Sequence, residues 1–321
     1  MTTTRLRRRS VAVATALLSA TLALTGCSST SDAPAPPTGR THAVEADNGT
    51  VTVPDDPKRI VTLGNAGVVY TELGGEPVGT TEYKFDPITQ AQHDLLGRAE
   101  DLGPSGGEAD LEKVAGLKPD VILVWMPKDD WNRIGDELQS IAPTVFVGFD
   151  RDRFSVMQVL ADAANRTDQL KAQKSDYEKR ITHIKETYSK TIKETSFVGA
   201  TRGSWNAPGI YKFGLVSDLC TTIARDEIGL DIPKPTTDYK RSFEQIGELA
   251  GYDAILYPVD FNGAVLDSFV PVTQTNAWRA LPAVRSGHTL GVTCTSHGSY
   301  ASLSHFLDQL DRALATLSTG R

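Results

Sequence analysis

The sequence predicts an α/β protein with a mainly parallel sheet, arranged as two lobes. Three observations lead there. Short apolar runs such as Arg59 to Leu63, Val121 to Trp125 and Thr144 to Phe149 alternate with helical stretches. Gln169 to Lys193 runs without Gly or Pro, and Leu170, Tyr177, Ile181, Ile184, Tyr188 and Ile192 form its apolar stripe. Finally, "DLEKVAGLKPDVILVWMP" (110–127) is echoed by "SFEQIGELAGYDAILYPV" (242–259). Each has a cap residue, a glutamate, a short amphipathic helix, a break, an aspartate and a buried strand.

The chain opens on Arg5, Arg7, Arg8 and Arg9, followed by an apolar run from Val11 to Leu24. That run is too short for a membrane span and is placed like a signal peptide. Leu24-Thr25-Gly26-Cys27 resembles the bacterial lipobox, whose cysteine is lipidated and becomes the mature N-terminus. Stable anchoring takes at least two acyl chains, which a diacylglycerol on Cys27 would supply. Ser28 to Ala43 is rich in Ser, Pro and Thr, so it is expected to be a tether. The expected location is the extracytoplasmic face of the cell membrane. In that oxidising setting Cys220 and Cys294 are expected to form a disulfide rather than two buried thiols.

Further along, Val44 to Val53 alternates about Asn48-Gly49, the signature of a hairpin with a type I′ turn. Arg59 to Leu63 is a buried strand that Gly64 ends, and Val78 to Thr80 is the next. Phe154 to Ala164 is helical, and Asn165 to Asp168 supply break and cap residues. As one helix, Gln169 to Lys193 would be roughly 38 Å long, enough to run along a lobe or bridge two. Ser196 to Thr201, Ala254 to Tyr257 and Thr289 to Thr293 are the later strands, and Tyr300 to Leu317 the closing helix. Ser242 with Gln245 is a capping-box pattern. The segments divide into a signal peptide (1–26), a tether (27–43), an N-terminal lobe (44–152), linking helices (153–194) and a C-terminal lobe (195–321).

Net charge is −7 and no basic stripe is present, which argues against nucleic acid. There is no P-loop or G-x-G-x-x-G, and the G-x-S-x-G match at Gly103-Pro104-Ser105-Gly106-Gly107 lacks the apolar strand run that precedes a nucleophile elbow. A hydrolase therefore stays only as an alternative, and the expectation is that the chain is not an enzyme. The six histidines are scattered, with no pair at ligand spacing, so no bare-metal site is expected.

"VTVPDDPKRIVTLG", "GGEPVGTTEY", "ADLEKVAGLKPDVILV", "RSFEQIGELAGYDAILY" and "NAWRALPAVRSGHTLGV" resemble, in order, segments of bacterial iron–siderophore substrate-binding lipoproteins. These serve ABC importers, and the wider group includes haem and cobalamin binders. The resemblance implies two Rossmann-like lobes joined by a single long helix, with the ligand in the cleft. It also implies a monomer that contacts the importer permease through one surface glutamate per lobe. Glu112 and Glu244 match those positions, each in the first turn of the echoed helix and off its apolar face.

Ligands of open α/β sheets sit beyond the carboxyl ends of strands. That rule, with the resemblance, selects Tyr83, Lys84, Trp125, Arg202, Trp205, Tyr239, Arg241, Phe261, His297 and Tyr300 as ligand-binding candidates. Flat rings suit the faces of a metal chelate, and guanidinium forks suit its oxygens. A preformed chelate brings its own donors, so neither a cofactor nor a protein-held metal is expected. With Arg202 and Arg241 as the main cations, the set leans to a ferric hydroxamate over a catecholate. His297 and Tyr300 keep haem among the alternatives.

Overall fold

A computed structural model of the chain describes residues 39–83, 88–202, 210–213, 218–234, 240–295 and 297–319. The lipobox with Cys27, and most of the tether, lie outside these residues.

The fold starts with a hairpin of β1 (Thr41–Ala46) and β2 (Gly49–Pro54). β1 takes in Thr41 to Ala43, assigned above to the tether, because they pair with Thr52 to Pro54. The turn also differs from expectation. Its centre is Asp47-Asn48, not Asn48-Gly49, and only Gly49 has positive φ, at 102°. A type I′ turn needs positive φ at both central residues, whereas a glycine just after the turn is the arrangement of a bulged hairpin. The tip docks on the first sheet. Asp47 accepts from the Gly148 N–H at 2.7 Å, and Asn48 accepts from the Phe146 N–H at 3.1 Å.

That sheet consists of β3 (Ile60–Gly64), β4 (Gly79–Thr80), β5 (Glu100–Asp101), β6 (Val121–Met126) and β7 (Thr144–Gly148). All are parallel, in the order β5-β4-β3-β6-β7. The helices between them are α1 (Ala66–Glu72), α2 (Gln90–Leu96), α3 (Leu111–Gly116) and α4 (Lys128–Ile141). All six residues of β6 are buried, which explains its unbroken apolar run. Val121, Leu123 and Trp125 face one hydrophobic core; Ile122, Val124 and Met126 face the other with Trp131 and Leu138 of α4. Gly64 ends β3 at φ 65°, and a Cβ there would meet the Trp125 carbonyl oxygen at 2.3 Å. The turn it makes lets Asn65 N–H donate to that oxygen at 2.9 Å.

The chain then crosses once to the second sheet, through α5 (Arg153–Ala163), α6 (Thr167–Thr187) and α7 (Ser189–Glu194). The single helix expected over 169–193 is therefore two. Tyr188 leaves the helical range at φ −108°, ψ 20° and is buried. Absence of Gly and Pro did not reveal this break, which falls at a residue whose side chain is buried. Asn165, at φ 54°, ends α5 where break residues were expected.

The second sheet holds β8 (Phe197–Arg202), β9 (Ile210–Phe213), β10 (Lys240–Ser242), β11 (Ala254–Pro258) and β12 (Thr289–Val292), in the order β10-β9-β8-β11-β12. β8, β11 and β12 are parallel, while β9 pairs antiparallel with β8 and the edge strand β10 pairs antiparallel with β9. Its helices are α8 (Asp218–Thr222), a π-helix over Ile223–Ile228, a 3-10 helix over Phe243–Gly251, α9 (Val270–Thr273), α10 (Asn276–Ala280), α11 (Pro282–Arg285) and α12 (Tyr300–Thr319).

The sequence echo has a structural counterpart. Asp120, before β6, accepts at Oδ2 from the backbone N–H groups of Lys58 and Arg59 at 2.7 and 2.9 Å, at the entry to β3. Asp253, before β11, accepts at Oδ2 from Ser196 N–H and Oγ at 2.9 and 2.8 Å, at the entry to β8. Each lobe thus uses its aspartate to clamp the start of the neighbouring central strand.

One hydrophobic cluster runs unbroken from Leu123 and Val145 of the first sheet to Leu256 and Leu290 of the second, through Leu170, Tyr177 and Ile184 of α6 and Phe306 of α12. The crossing segment is therefore packed core, not a free strut. Cys220 in α8 and Cys294 just past β12 are joined by a disulfide with a Cα–Cα separation of 6.1 Å.

Candidate functional site

The carboxyl ends of the two sheets meet. Tyr83, three residues past β4, reaches His297, five residues past β12: its hydroxyl lies 3.1 Å from Nδ1. The rings meet edge-on, with centroids 6.1 Å apart. On the other side of the imidazole, Nε2 lies 3.2 Å from Glu72 Oε1, at the end of α1. A carboxylate only accepts, so Nε2 carries the proton that faces Glu72. His297 is 1% exposed and the Glu72 side chain 7%. This contact marks where the two strand-end surfaces face each other.

The segment carrying His297 is braced. Thr293 N–H donates to Gln309 Oε1, and its hydroxyl donates to the Asp260 carbonyl at 2.8 Å. Cys294 is tied to Cys220. Ser299 Oγ accepts from Ser302 N–H at 3.1 Å, capping α12. After β11, Asp260 Oδ1 accepts from Asn262 N–H and Ala264 N–H at 2.9 and 2.8 Å, shaping the turn that carries Phe261. Half-buried Phe261 lies 4.7 Å from the His305 ring, centroid to centroid. Burial, then the charge of Arg312, pushes the His305 pKa down.

Several candidates sit differently from expectation. Trp125 is not past its strand but inside it, 4% exposed, and the pleat turns it into the core with Val121 and Leu123. Its ring meets Phe149 edge-on at 6.0 Å, and its indole N–H is buried without a partner. Tyr300 is the first residue of α12 and is 7% exposed. It stacks on Phe154 of α5 at 4.9 Å and packs on Tyr177 of α6 at 5.5 Å, so it fills a helix junction. Arg241 lies on edge strand β10, where its Nε donates to Glu248 at 2.9 Å. Arg202 ends β8, and its side chain lies outside the described residues, as do Lys84, Trp205 and Tyr239.

Glu112 and Glu244 are both exposed, each in the first turn of its helix. Asp110 caps the first by accepting from Lys113 N–H at 3.1 Å. In the second, Gln245 Oε1 accepts from Ser242 N–H at 3.0 Å. The Ser242 hydroxyl, helped by a backbone N–H, holds the Glu244 carboxyl below the usual carboxylate range. Both helix starts also favour negative charge through the dipole.

Sequence reasoning missed three residues. Asn65 follows β3, is 6% exposed, and its Oδ1 is buried without a partner. Phe149 follows β7 and is 50% exposed, a large apolar ring left in water at a strand end. The strand-end rule, applied to those two strands, would have found both. Glu72 had no such signal, because its role depends on a partner 225 residues away.

Among the described residues no group of three or more His, Cys, Asp or Glu side chains could hold a metal ion. Nor is any described helix long and apolar enough to cross a membrane.

Comparisons with known proteins agree with this architecture. The periplasmic binding protein family profile matches residues 60–291. The Bacillus subtilis lipoprotein YfiY is 27% identical over 283 residues, 81% of this chain and 83% of that protein. The iron(3+)-hydroxamate-binding protein FhuD of Bacillus subtilis is 26% identical over 261 residues, 77% of this chain and 78% of that protein. The siderophore periplasmic binding protein from the fuscachelin gene cluster of Thermobifida fusca superposes with a TM-score of 0.71. It is 24% identical, and the match covers 82% of this chain and 98% of that one.

Proposed function

We propose that this chain, which belongs to the periplasmic binding protein family, captures a ferric siderophore outside the cytoplasmic membrane and delivers it to an ABC importer permease. That family is one of binding proteins, not of enzymes. The observation that carries the reading is the meeting of the segments after β4 and β12. It puts the strand-end surfaces of two sheets face to face, where α/β proteins hold ligands. FhuD, a relative over most of its length, is named for iron(3+) hydroxamates, which supports the hydroxamate class.

The chelate is the cargo, held by ring faces and polar groups, with all iron donors its own. Phe149 and Phe261 offer ring surface, and Asn65 an amide oxygen. Arg202, Trp205, Lys84 and Tyr239 remain candidates by sequence position. Glu112 and Glu244 serve as one permease contact per lobe. Cys27 carries the lipid that anchors the protein, which acts as a monomer on the extracytoplasmic face of the membrane.

Uptake of radioactive iron from a ferric hydroxamate tests this directly. Cells lacking the chain should lose uptake and regain it with the wild-type gene but not with C27A released from the membrane. Unchanged uptake in the deletion strain would contradict the proposal.

A further inference from the structure

Buried Glu72 and His297, two ionisable side chains, meet at 3.2 Å between the lobes, and that is an expensive way to build an interface. Desolvating two ionisable groups offsets most of what their attraction returns, and an apolar pair of the same volume often stabilises as well or better. Here the cost is higher still, because Glu72 Oε2 is buried with no partner. Stability alone does not account for the arrangement.

Its geometry suggests another role. Glu72 and Tyr83 belong to the first lobe, and His297 to the second. The receiving side is preset: Gln92 of α2 donates to Glu72 Oε1 at 3.2 Å, and Gln173 of α6 donates to the Glu72 carbonyl at 2.7 Å. The entering side is preset too, by the Cys220–Cys294 disulfide before His297 and the Ser299 cap after it. Within its own lobe His297 has Thr295 Oγ1 at 3.4 Å from Nε2. Both Glu72 and Tyr83 are lost to it if the lobes part. Parting would also hydrate the carboxylate, including the oxygen that lacks a partner, which lowers the cost of opening.

We propose that Glu72, His297 and Tyr83 form an inter-lobe latch, in which the imidazole is a rigid prong of the second lobe received by a carboxylate and a phenol of the first. These are positioning residues: they set how far the lobes part, independently of which chelate the cleft takes.

The test needs no ligand. Spin labels are carried on p-acetylphenylalanine at Ala115 in α3 and Ala250 in the 3-10 helix, both exposed and one in each lobe. The native cysteines stay untouched. Distance distributions are then compared for the full-length wild type, E72A, H297A, Y83F and E72Q, each with its melting temperature. The latch predicts a shift to longer, broader distances in E72A and H297A and a smaller shift in Y83F. E72Q should stay close to wild type, since its amide oxygen still accepts from Nε2–H. Wild-type distributions in folded E72A and H297A would overturn the proposal. Should either fail to fold, an unshifted Y83F would overturn it equally.

Discussion

Removing the disulfide should destabilise the whole protein and not only its neighbourhood. Cys220 and Cys294 are 74 residues apart in sequence. In the chain-entropy treatment, opening a loop of that size costs about 4 kcal/mol at 25 °C, through greater freedom of the unfolded chain. For a domain of this size each kcal/mol moves the midpoint by about 2–4 °C, so C220A/C294A should melt roughly 10 °C below wild type. Thermal unfolding followed by far-UV circular dichroism measures this. Because the effect resides in the unfolded state, wild type unfolded in excess reductant should match the variant. A midpoint within about 2 °C of oxidised wild type would refute the reasoning, as would a gap that persists after reduction.

The other predictions concern the repeated unit, the surface glutamates and one histidine. D120A and D253A should each cost about 1–3 kcal/mol in urea unfolding. Having no shared partner, they should add in the double variant within about 0.5 kcal/mol. E112A/E244A should bind chelate as wild type does yet abolish uptake; normal uptake would remove both from the permease contact. His305 titrates below its ordinary range when folded, so the unfolded chain takes up that proton first. Stability should therefore decline as pH falls below about 6.5, and H305Q should lose that part of the slope.

The α/β alternation, the repeat and the strand ends were legible because each rests on local pattern. Apolar runs such as β6 announce strands buried on both faces, and the aspartates before β6 and β11 fall at matching places in the two echoed segments. What escaped depends on contacts distant in sequence. The long helix breaks at buried Tyr188, and Asp47-Asn48 become the turn because both dock on β7. Trp125 and Tyr300 were taken for ligand contacts as aromatics near strand ends. The strand runs on to Met126 and its pleat turned the first inward, and a helix starting at the second buried it among Phe154 and Tyr177. Glu72 was invisible for the same reason, since nothing around it in sequence points to His297.

The most direct test of the cargo is a tryptophan-quenching titration of the purified protein with a ferric hydroxamate, a ferric catecholate, haemin, cobalamin, and zinc and manganese salts. The account predicts saturable quenching by the ferric hydroxamate, with the visible band of the iron chelate unchanged on binding. Indifference to every chelate, together with tight capture of the bare metal ions, would contradict it.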